Sequence, residues 1–366
     1  MSALKPLSGL KVVTIEQAVA APFATCRLAD AGAEVIKIER PEGDFARGYD
    51  DVAAGQSSYF VWLNRGKTSV ALDLTSDAGR ARLRDLISDA DVVVQNLRHG
   101  VMERLGFSFE DLRRENPRLI TCSITGFDPD GDMAARKAYD LLIQAESGLC
   151  SITGGPDEPS RVGVSVVDIA TGATAHSAIL EALIARGITG QGMAITVSMF
   201  DVMADWLTVP LLNHEGGRTP KRVGLAHPSI APYGVFETKD SKQILISIQS
   251  DREWSKLCEQ FLGDVTLSHD PRFASNVNRV EHRDVTDKIV AAAFMKRTAN
   301  QALADLTKAD VAFALLNDME GLSAHPELRR ITVETPNGPV TYPAPAPRFD
   351  GVTRPVGPVP ELDEGV

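Results

Sequence analysis

The sequence lacks the features that define several common protein classes. It has only four cysteines in 366 residues, and Cys26, Cys122, Cys150 and Cys258 form no C-x-x-C pair. Neither a disulfide framework nor a zinc cluster is therefore expected. No apolar run approaches the roughly 20 residues of a membrane span. The first residues also lack the apolar segment of a secretory signal. We expect a protein of the cytoplasm that spans no membrane.

Charge and aromatic content argue against binding to nucleic acids. The formal net charge is −11, and aromatic residues make up 6% of the chain. A chain short of cations is poorly suited to neutralising phosphate backbones, and one short of aromatic residues offers few platforms for stacking bases. An anionic small molecule remains compatible with this composition, provided that basic residues gather locally.

Glycine-rich nucleotide motifs are absent as well. The segment EQAVAAPF, which follows the first predicted strand, contains no glycine, and neither G-x-G-x-x-G nor G-x-x-x-x-G-K-[ST] occurs. Dinucleotide and P-loop sites are therefore disfavoured. G-x-S-x-G and H-E-x-x-H are missing too, and the histidines are scattered, so no metal site is expected. By elimination, the chemistry depends on carboxylates and on groups of the bound ligand.

What the sequence does contain is an alternation of strands and helices near its start. The predicted strands are LKVVTI, AEVIKIER, TSVALDL, DVVVQNL and RLITCSITGF, and the predicted helices are AAPFATCRLADAG, DAGRARLRDLISDA and VMERLGFSFEDLRRENP. This order predicts a doubly wound α/β domain with a parallel sheet.

The remaining sequence predicts a second, smaller domain. We assign residues 1–212 to the large domain, 213–232 to a linker rich in glycine and proline, 233–310 to a small α/β domain, and 311–366 to a segment that returns to the large domain. In the small domain, YGVFETKDSKQILISI predicts a β-hairpin, and helices are expected at about 251–262 and 283–308. The proline-rich end has too few apolar residues for a core and is expected to run over a surface.

Several stretches, in order along nearly the whole chain, resemble the family III CoA transferases, the CaiB/BaiF group that includes formyl-CoA:oxalate CoA transferases. They are LSGLKVV, AAPFATCRLADAGAEVIKIERPEGD, WLNRGKTSVALDL, DVVVQNLRHGVMERLGF, LITCSITGF, KAYDLLIQAESGLCSITG, VVDIATG, ITGQGMAITVSMFD, HPSIAPYGVFETKD and HPELRR. The resemblance implies a Rossmann-like large domain, a small α/β domain and a homodimer of interlocked rings. It also implies an active site between the large domain of one chain and the small domain of its partner.

The resemblance implies that Asp168, in VSVVDIATG, is the nucleophile. Its carboxylate would attack an acyl-CoA thioester, form a mixed anhydride and then carry CoA as an aspartyl thioester. A carboxylate with an ordinary pKa near ~4 is ionised at neutral pH. The alternative from the residues alone is that Asp168 is the N-cap of the helix that starts at IATGATAH.

The resemblance also implies the contacts of CoA, which we expect as a substrate and not as a tightly bound cofactor. The implied residues are Arg40, Leu72, Thr75, Asn96, Leu97, Arg98, Arg104, Lys137, Ala138, Tyr139, Asp140 and Met199. For any one basic residue, the alternative is a solvated surface charge. Arg104 has Gly100 and no acid four positions before it, which leaves it free for a phosphate.

The residues that would bind the acid substrate are indicated less specifically than those that would bind CoA. The nearest resemblance is to members that act on C4 and C5 dicarboxylates, with succinyl-CoA as a donor, and Arg47, His227 and Arg252 are candidates for the distal carboxylate. Gln17 lies where α/β sheets bind ligands, or else in a turn. Gln249 contacts the substrate or caps the helix near Asp251. Oxyanion donors are expected in the ITGG turn or near Gln249, although the glycine-rich loop of the family is missing at ISIQSDREW.

Two other function classes remain open from the sequence. The related α-methylacyl-CoA racemases have a His-Asp pair where this chain has Tyr139 and Asp140. Because tyrosine, with a pKa near ~10, exchanges protons poorly, this difference favours transfer over racemisation. A CoA-binding relative without transferase chemistry would not need Asp168.

Overall fold

The computed structural model describes residues 5–364, which divide into two compact units. The first unit comprises the described residues of 1–149, 161–212 and 329–366, and the second comprises 150–160 and 213–328. None of the described helices is both long and apolar enough to cross a membrane. All four cysteines are free thiols. No group of three or more potential metal ligands occurs within residues 5–364.

A six-stranded parallel sheet forms the centre of the first unit. Its strands are β1 (Lys11–Ile15), β2 (Glu34–Glu39), β3 (Lys67–Ala71), β4 (Val92–Gln95), β5 (Ile120–Thr125) and β6 (Ala194–Ser198). Their order is β3-β2-β1-β4-β5-β6. The runs of Val and Ile in β1 and β4 are buried, as expected for strands covered by helices on both faces. The predicted α/β class is confirmed, and β6 is a strand that the sequence did not predict.

Helices cover both faces of this sheet. The helices up to residue 215 are α1 (Ala20–Asp30), α2 (Ser58–Asn64), α3 (Asp77–Ser88), α4 (Val101–Arg104), α5 (Phe109–Glu115), α6 (Asp140–Glu146), α7 (Leu149–Ile152), α8 (Val166–Thr189), α9 (Met199–Trp206) and α10 (Thr208–Glu215), of which α7 and α10 include residues of the second unit. Helices α1 and α8 pack on one face, and α3 and α5 pack on the other. The single helix predicted over 101–117 is wrong. Gly106 adopts a left-handed φ of 84°, which ends the first helix. The Ser108 hydroxyl then accepts from the Asp111 amide and starts a second helix.

Close packing of α1 on α8 fixes where α8 begins relative to the loop between β1 and α1. A Cβ atom at Gly172 would lie 2.4 Å from the Ala20 carbonyl oxygen and 2.9 Å from the Phe23 Cβ, so only glycine permits this approach. The small side chains of Ala21 and Ala175 are also fully buried in the core of this unit. The two helices therefore meet closely, which brings the start of α8 toward the loop between β1 and α1.

The second unit has its own sheet and core. Strands β7 (Tyr233–Glu237), β8 (Gln243–Ser247) and β9 (Ala312–Leu315) pair in antiparallel fashion, which confirms the predicted hairpin. Its helices are α11 (Asp251–Leu257), α12 (Asn276–Glu281), α13 (Arg283–Phe294), α14 (Ala299–Lys308) and α15 (Met319–Ser323). The single helix predicted over 283–308 is wrong, because Thr298 and Gln301 form a capping box that starts α14. Trp254, Phe261 and Phe294 fill the core.

The C-terminal segment is more structured than its proline content suggests. Strands β10 (Arg330–Val333) and β11 (Val340–Pro343) form an antiparallel hairpin in the first unit. Val333 and Val359 are buried with Phe60 and Val61. This end therefore adds a few apolar side chains to a small cluster with residues of the first unit.

Candidate active site

The sheet order creates a crevice at the carboxyl ends of β1 and β4. These neighbouring strands are followed by connections that lead to opposite sides, since β2 lies on one flank and β5 on the other. Ligands in α/β proteins bind at such a switch point. Gln17 follows β1 and Asn96 follows β4, so both lie at this crevice.

Two cavities open at this edge of the sheet. One, of about 570 Å³, contains Asp168 and many of the residues predicted to bind substrates, namely Gln17, Asn96, Leu97, Arg98, Lys137, Ala138, Tyr139, Asp140 and Met199. The other, of about 510 Å³, is lined by Arg40, Leu72 and Thr75. Gln17 and Leu97 line both cavities, so the two are contiguous. The structure thus gathers most of the predicted residues around one extended cavity.

Asp168 is the third residue of α8 and not its N-cap. Ser165 occupies the N-cap position, so the capping alternative is wrong. Burial of Asp168, together with the negative charge of Asp140, raises its pKa to about 7. Within residues 5–364, no cation pairs with this carboxyl group. It is therefore about half protonated at neutral pH and not fully ionised as the sequence suggested.

The loop that carries Gln17 is held by its backbone. The Gln17 amide donates to Asn96 Oδ1 at 2.9 Å, and Asn96 Nδ2 donates to the Gln17 carbonyl at 2.8 Å. The next residue, Ala18, has a left-handed φ of 61°, and its amide donates to Asp44 Oδ1 at 3.2 Å. Both functional groups of the Asn96 carboxamide are therefore engaged with the loop of Gln17.

A buried ionic cluster lies beneath this loop. Lys67 Nζ is 2.6 Å from Glu16 Oε1, while Lys37 Nζ is 2.9 Å from Asp44 Oδ2 and 3.5 Å from Glu16 Oε1. These side chains are inaccessible to solvent. Burial acts to raise the pKa of Glu16, but the charges of Lys67 and Lys37 hold it below the ordinary value. We refer to Glu16, Lys37, Asp44 and Lys67 as the buried ionic cluster.

Some predicted residues of the first unit lie outside both cavities. Arg47 donates from Nε and Nη2 to the Glu39 carboxylate at 2.8 Å each, and its guanidinium lies 3.7 Å above the Phe60 ring. Its charge is thus already paired. Arg104 is exposed on α4 and lines neither cavity.

The other predicted residues belong to the second unit. The His227 ring stacks on Tyr233 with a centroid distance of 5.2 Å. Gln249 Nε2 donates to the Ser247 hydroxyl, while Ser250 and Glu253 form the capping box of α11, so Gln249 is not the cap. The ITGG turn and Arg252 also lie in this unit.

Several other residues that line the Asp168 cavity were not indicated by the sequence. Tyr49, Tyr59 and Arg161 line it, and the Tyr49 and Tyr59 rings meet edge to face at 5.5 Å. Burial, followed by the charges of Asp44 and Asp168, raises the pKa of Tyr49 to about 12. Tyr49 directly follows a short 3-10 helix (Phe45–Gly48), and Arg161 lies in the loop PSRVG. Neither segment has a periodic pattern, so the sequence offered only their nearness to recognised motifs.

Comparison with known proteins identifies the class. The profile of CoA-transferase family III matches residues 7–365. An acetyl-CoA:oxalate CoA-transferase of Acetobacter aceti is 37% identical over 98% of this chain and 93% of its own length. A succinate–glutarate CoA-transferase of Agrobacterium fabrum is 37% identical over 92% of this chain and 87% of its own. The crystal structure of a CAIB/BAIF family protein from Brucella suis has a TM-score of 0.83, with 36% identity over 98% of this chain and 97% of that one.

The chain belongs to CoA-transferase family III, as its motifs suggested. It is accordingly an enzyme of the CoA-transferase class.

Proposed function

We propose that this enzyme moves CoA between carboxylic acids through a covalent intermediate on Asp168. The Asp168 carboxylate attacks the acyl thioester, and CoA leaves as a thiolate while an acyl–aspartyl anhydride forms. The thiolate attacks the aspartyl carbonyl, which releases the donor acid and leaves an aspartyl-CoA thioester. An acceptor carboxylate then attacks this thioester, which expels CoA thiolate and forms a second acyl–aspartyl anhydride. The thiolate attacks the acyl carbonyl of this anhydride, which forms the new acyl-CoA and releases the Asp168 carboxylate. The thioester bond is conserved throughout, so no other energy source is consumed.

The environment of the Asp168 carboxyl group is the observation that carries this proposal. It lines a cavity of about 570 Å³ at the carboxyl edge of the sheet, without a cationic partner among the described residues. A carboxylate that no cation stabilises is a stronger nucleophile than an ion-paired one, because attack on the thioester sacrifices no salt bridge. The pKa of about 7 still leaves a large ionised fraction at neutral pH.

CoA would occupy both cavities. Its nucleotide end would lie in the cavity lined by Arg40, Leu72 and Thr75, and its pantetheine arm would pass Leu97 toward Asp168. Arg98 and Lys137 are exposed at the Asp168 cavity, where they can neutralise phosphate charge without being desolvated. Arg104 remains a proposed contact at the outer surface of α4.

The proposed acids are C4 and C5 dicarboxylates, with succinyl-CoA as donor. The names of relatives that act on succinate, glutarate and mesaconate support this choice. Arg161 lies in the Asp168 cavity and provides a cation for a distal carboxylate. We expect Arg161→Ala to raise the KM for succinate about tenfold and to leave the KM for acetate unchanged. An equal rise for both acids would exclude this assignment.

The experiment that tests the mechanism is trapping of the covalent intermediate. The protein is incubated with succinyl-CoA without an acceptor, its intact mass is measured, and the modified peptide is mapped. A CoA adduct on Asp168 that is absent from Asp168→Ala is the expected result. An unmodified wild-type protein that instead exchanges deuterium at the α-carbon of a branched acyl-CoA would favour the racemase alternative.

The resemblance leads us to propose a cytoplasmic, interlocked homodimer. Large apolar side chains on α8 to α10 are exposed and support a protein partner on this face; they include Ile184, Ile188, Trp206, Val209 and Leu212. Light scattering should give twice the monomer mass of 39.4 kDa. A monomer at micromolar concentration would exclude the dimer.

A further inference from the structure

The side chain of Asp140, which the resemblance implies as a contact of CoA, accepts hydrogen bonds from the helix that carries Asp168. Asp140 is the first residue of α6. Its Oδ1 accepts hydrogen bonds from the backbone amides of Val167 at 2.8 Å and Asp168 at 3.2 Å. A carboxylate of one helix therefore caps the first turn of another, with two charge-assisted bonds.

Gln144 holds the second oxygen of the Asp140 carboxylate by a hydrogen bond. It lies one turn later in α6, is fully buried, and donates from Nε2 to Asp140 Oδ2 at 2.7 Å. Gln144 Oε1 in turn accepts from the Val162 amide at 2.9 Å. Asp140 and Gln144 thus hold both ends of the short segment that leads into α8.

In the described part of the chain, the first turn of α8 takes its side-chain cap from Asp140 and not from its own N-cap residue. Ser165, at the N-cap position, makes no capping hydrogen bond through its side chain. The Val166 amide donates to the Val164 carbonyl, and the Ile169 amide donates to the Ser165 carbonyl. The two remaining amides of this turn, those of Val167 and Asp168, donate to Asp140. Removal of the Asp140 carboxylate would leave both amides without partners.

We propose that Asp140, supported by Gln144, is a positioning residue that sets the place and the reactivity of the Asp168 carboxylate. This inference rests on the proposed role of Asp168 as nucleophile. Because Asp140 takes up the amides of this turn, they cannot stabilise the Asp168 carboxylate, and its own charge further disfavours ionisation. Asp140 thereby aligns the nucleophile and keeps it from being over-stabilised.

The test compares Asp140→Ala with Asp140→Asn. Asp140→Ala should lower kcat about a hundredfold, the cost typical of a misplaced reacting group, with the KM for succinyl-CoA changed less than about threefold. Asp140→Asn should recover at least tenfold of this loss, because its amide oxygen still accepts from the backbone. Its acidic limb of kcat/KM against pH should move to lower pH, since the neighbouring negative charge is gone.

Asp111→Asn is the matched control, because it removes an exposed acid from the first turn of α5, outside both cavities. It should leave kcat and the pH profile unchanged. A rise in KM that accounts for the whole loss in Asp140→Ala, or an Asn variant with an unmoved acidic limb, would overturn the proposal. Trapping of CoA on Asp168 in the wild-type protein separates this failure from failure of the proposed function.

Discussion

Glu16 and Asp168 are carboxyl groups of the same structural unit in opposite surroundings. Glu16 is fully buried between two lysines and accepts hydrogen bonds from Thr14 and Thr25. The lysine charges overcome its burial and lower its pKa. Asp168 is half-buried, yet burial and the charge of Asp140 raise its pKa to about 7.

The comparison shows that partners, and not depth, decide what a buried carboxylate does. Glu16 is the more deeply buried of the two and remains ionised, because each lone pair faces a cation or a hydroxyl donor. An ion so well satisfied is a poor nucleophile. Asp168 lacks these partners, which is the property that the proposed nucleophile requires, and its ionisation carries a cost in stability of the kind common at functional residues.

Removal of one cation from the buried ionic cluster should have the largest effect. Lys67→Met leaves the negative charge of Glu16 compensated by Lys37 alone. We expect a loss of about 3–5 kcal/mol in the free energy of unfolding, measured by urea denaturation. A loss below about 1 kcal/mol would show that the cluster contributes little. The double variant with Glu16→Leu should recover part of the loss.

The pH dependence of activity tests the raised pKa of Asp168, the second carboxyl group of the comparison. In the proposed mechanism only ionised Asp168 attacks, and its pKa is about 7. The proposal therefore predicts that kcat/KM for succinyl-CoA rises about fiftyfold from pH 5 to pH 7 and levels off above pH 8. Binding of a CoA analogue without a thiol, measured at the same pH values, controls for titration of the ligand. A flat profile down to pH 5 would contradict the raised pKa.

Neutralisation of Asp168 should stabilise the fold in alkaline solution. Its native pKa lies above the ordinary value of 3.8, so its favourable contribution is complete below pH 4 and is lost as the pH rises through 7. Asp168→Asn has no such loss. It should be more stable than the wild type by about 2 kcal/mol at pH 8 and equally stable at pH 4. Thermal unfolding at both pH values measures this, and a pH-independent difference argues against it.

Removal of an exposed ion pair should have the smallest effect on the free energy of unfolding. It serves as the reference for the buried ionic cluster. Arg114 contacts Glu110 and Asp111 on the surface of α5 with two-thirds of its side chain exposed. Arg114→Ala should cost about 0.5 kcal/mol or less, since water screens such pairs. A larger loss would mean that depth of burial does not explain the effect of Lys67→Met.

The fold was readable from the sequence where patterns are local. The Val and Ile runs of β1 and β4 and the amphipathic α1 and α3 have the predicted type and nearly the predicted bounds. β6 escaped because AITVS is short and only partly buried. Breaks within helices escaped too, since Gly106 and Thr298 act through backbone conformation and capping, which periodicity does not report.

The sequence predicted which residues of the candidate site lie close together, but not the contacts that their side chains make. The motifs placed Asp168, Tyr139 and Gln17 together, and all three line one cavity. What each side chain does depends on contacts between residues far apart in the chain. Asn96 bonds to Gln17, 79 residues away, and Asp140 bonds to the amide of Asp168, 28 residues away. No spacing rule predicts such partners, so the pairing of the Asn96 and Asp140 side chains required the structure.

The pairing of Asn96 with the backbone of Gln17 has a consequence for the evolution of substrate preference. Because both hydrogen bonds are made to the main chain of residue 17, the loop does not depend on which side chain that residue bears. Selection can therefore exchange this side chain, which lines both cavities, without a change in the backbone of the loop. A library of variants at position 17 therefore tests the expectation that this residue contacts the substrate, without disturbing the loop.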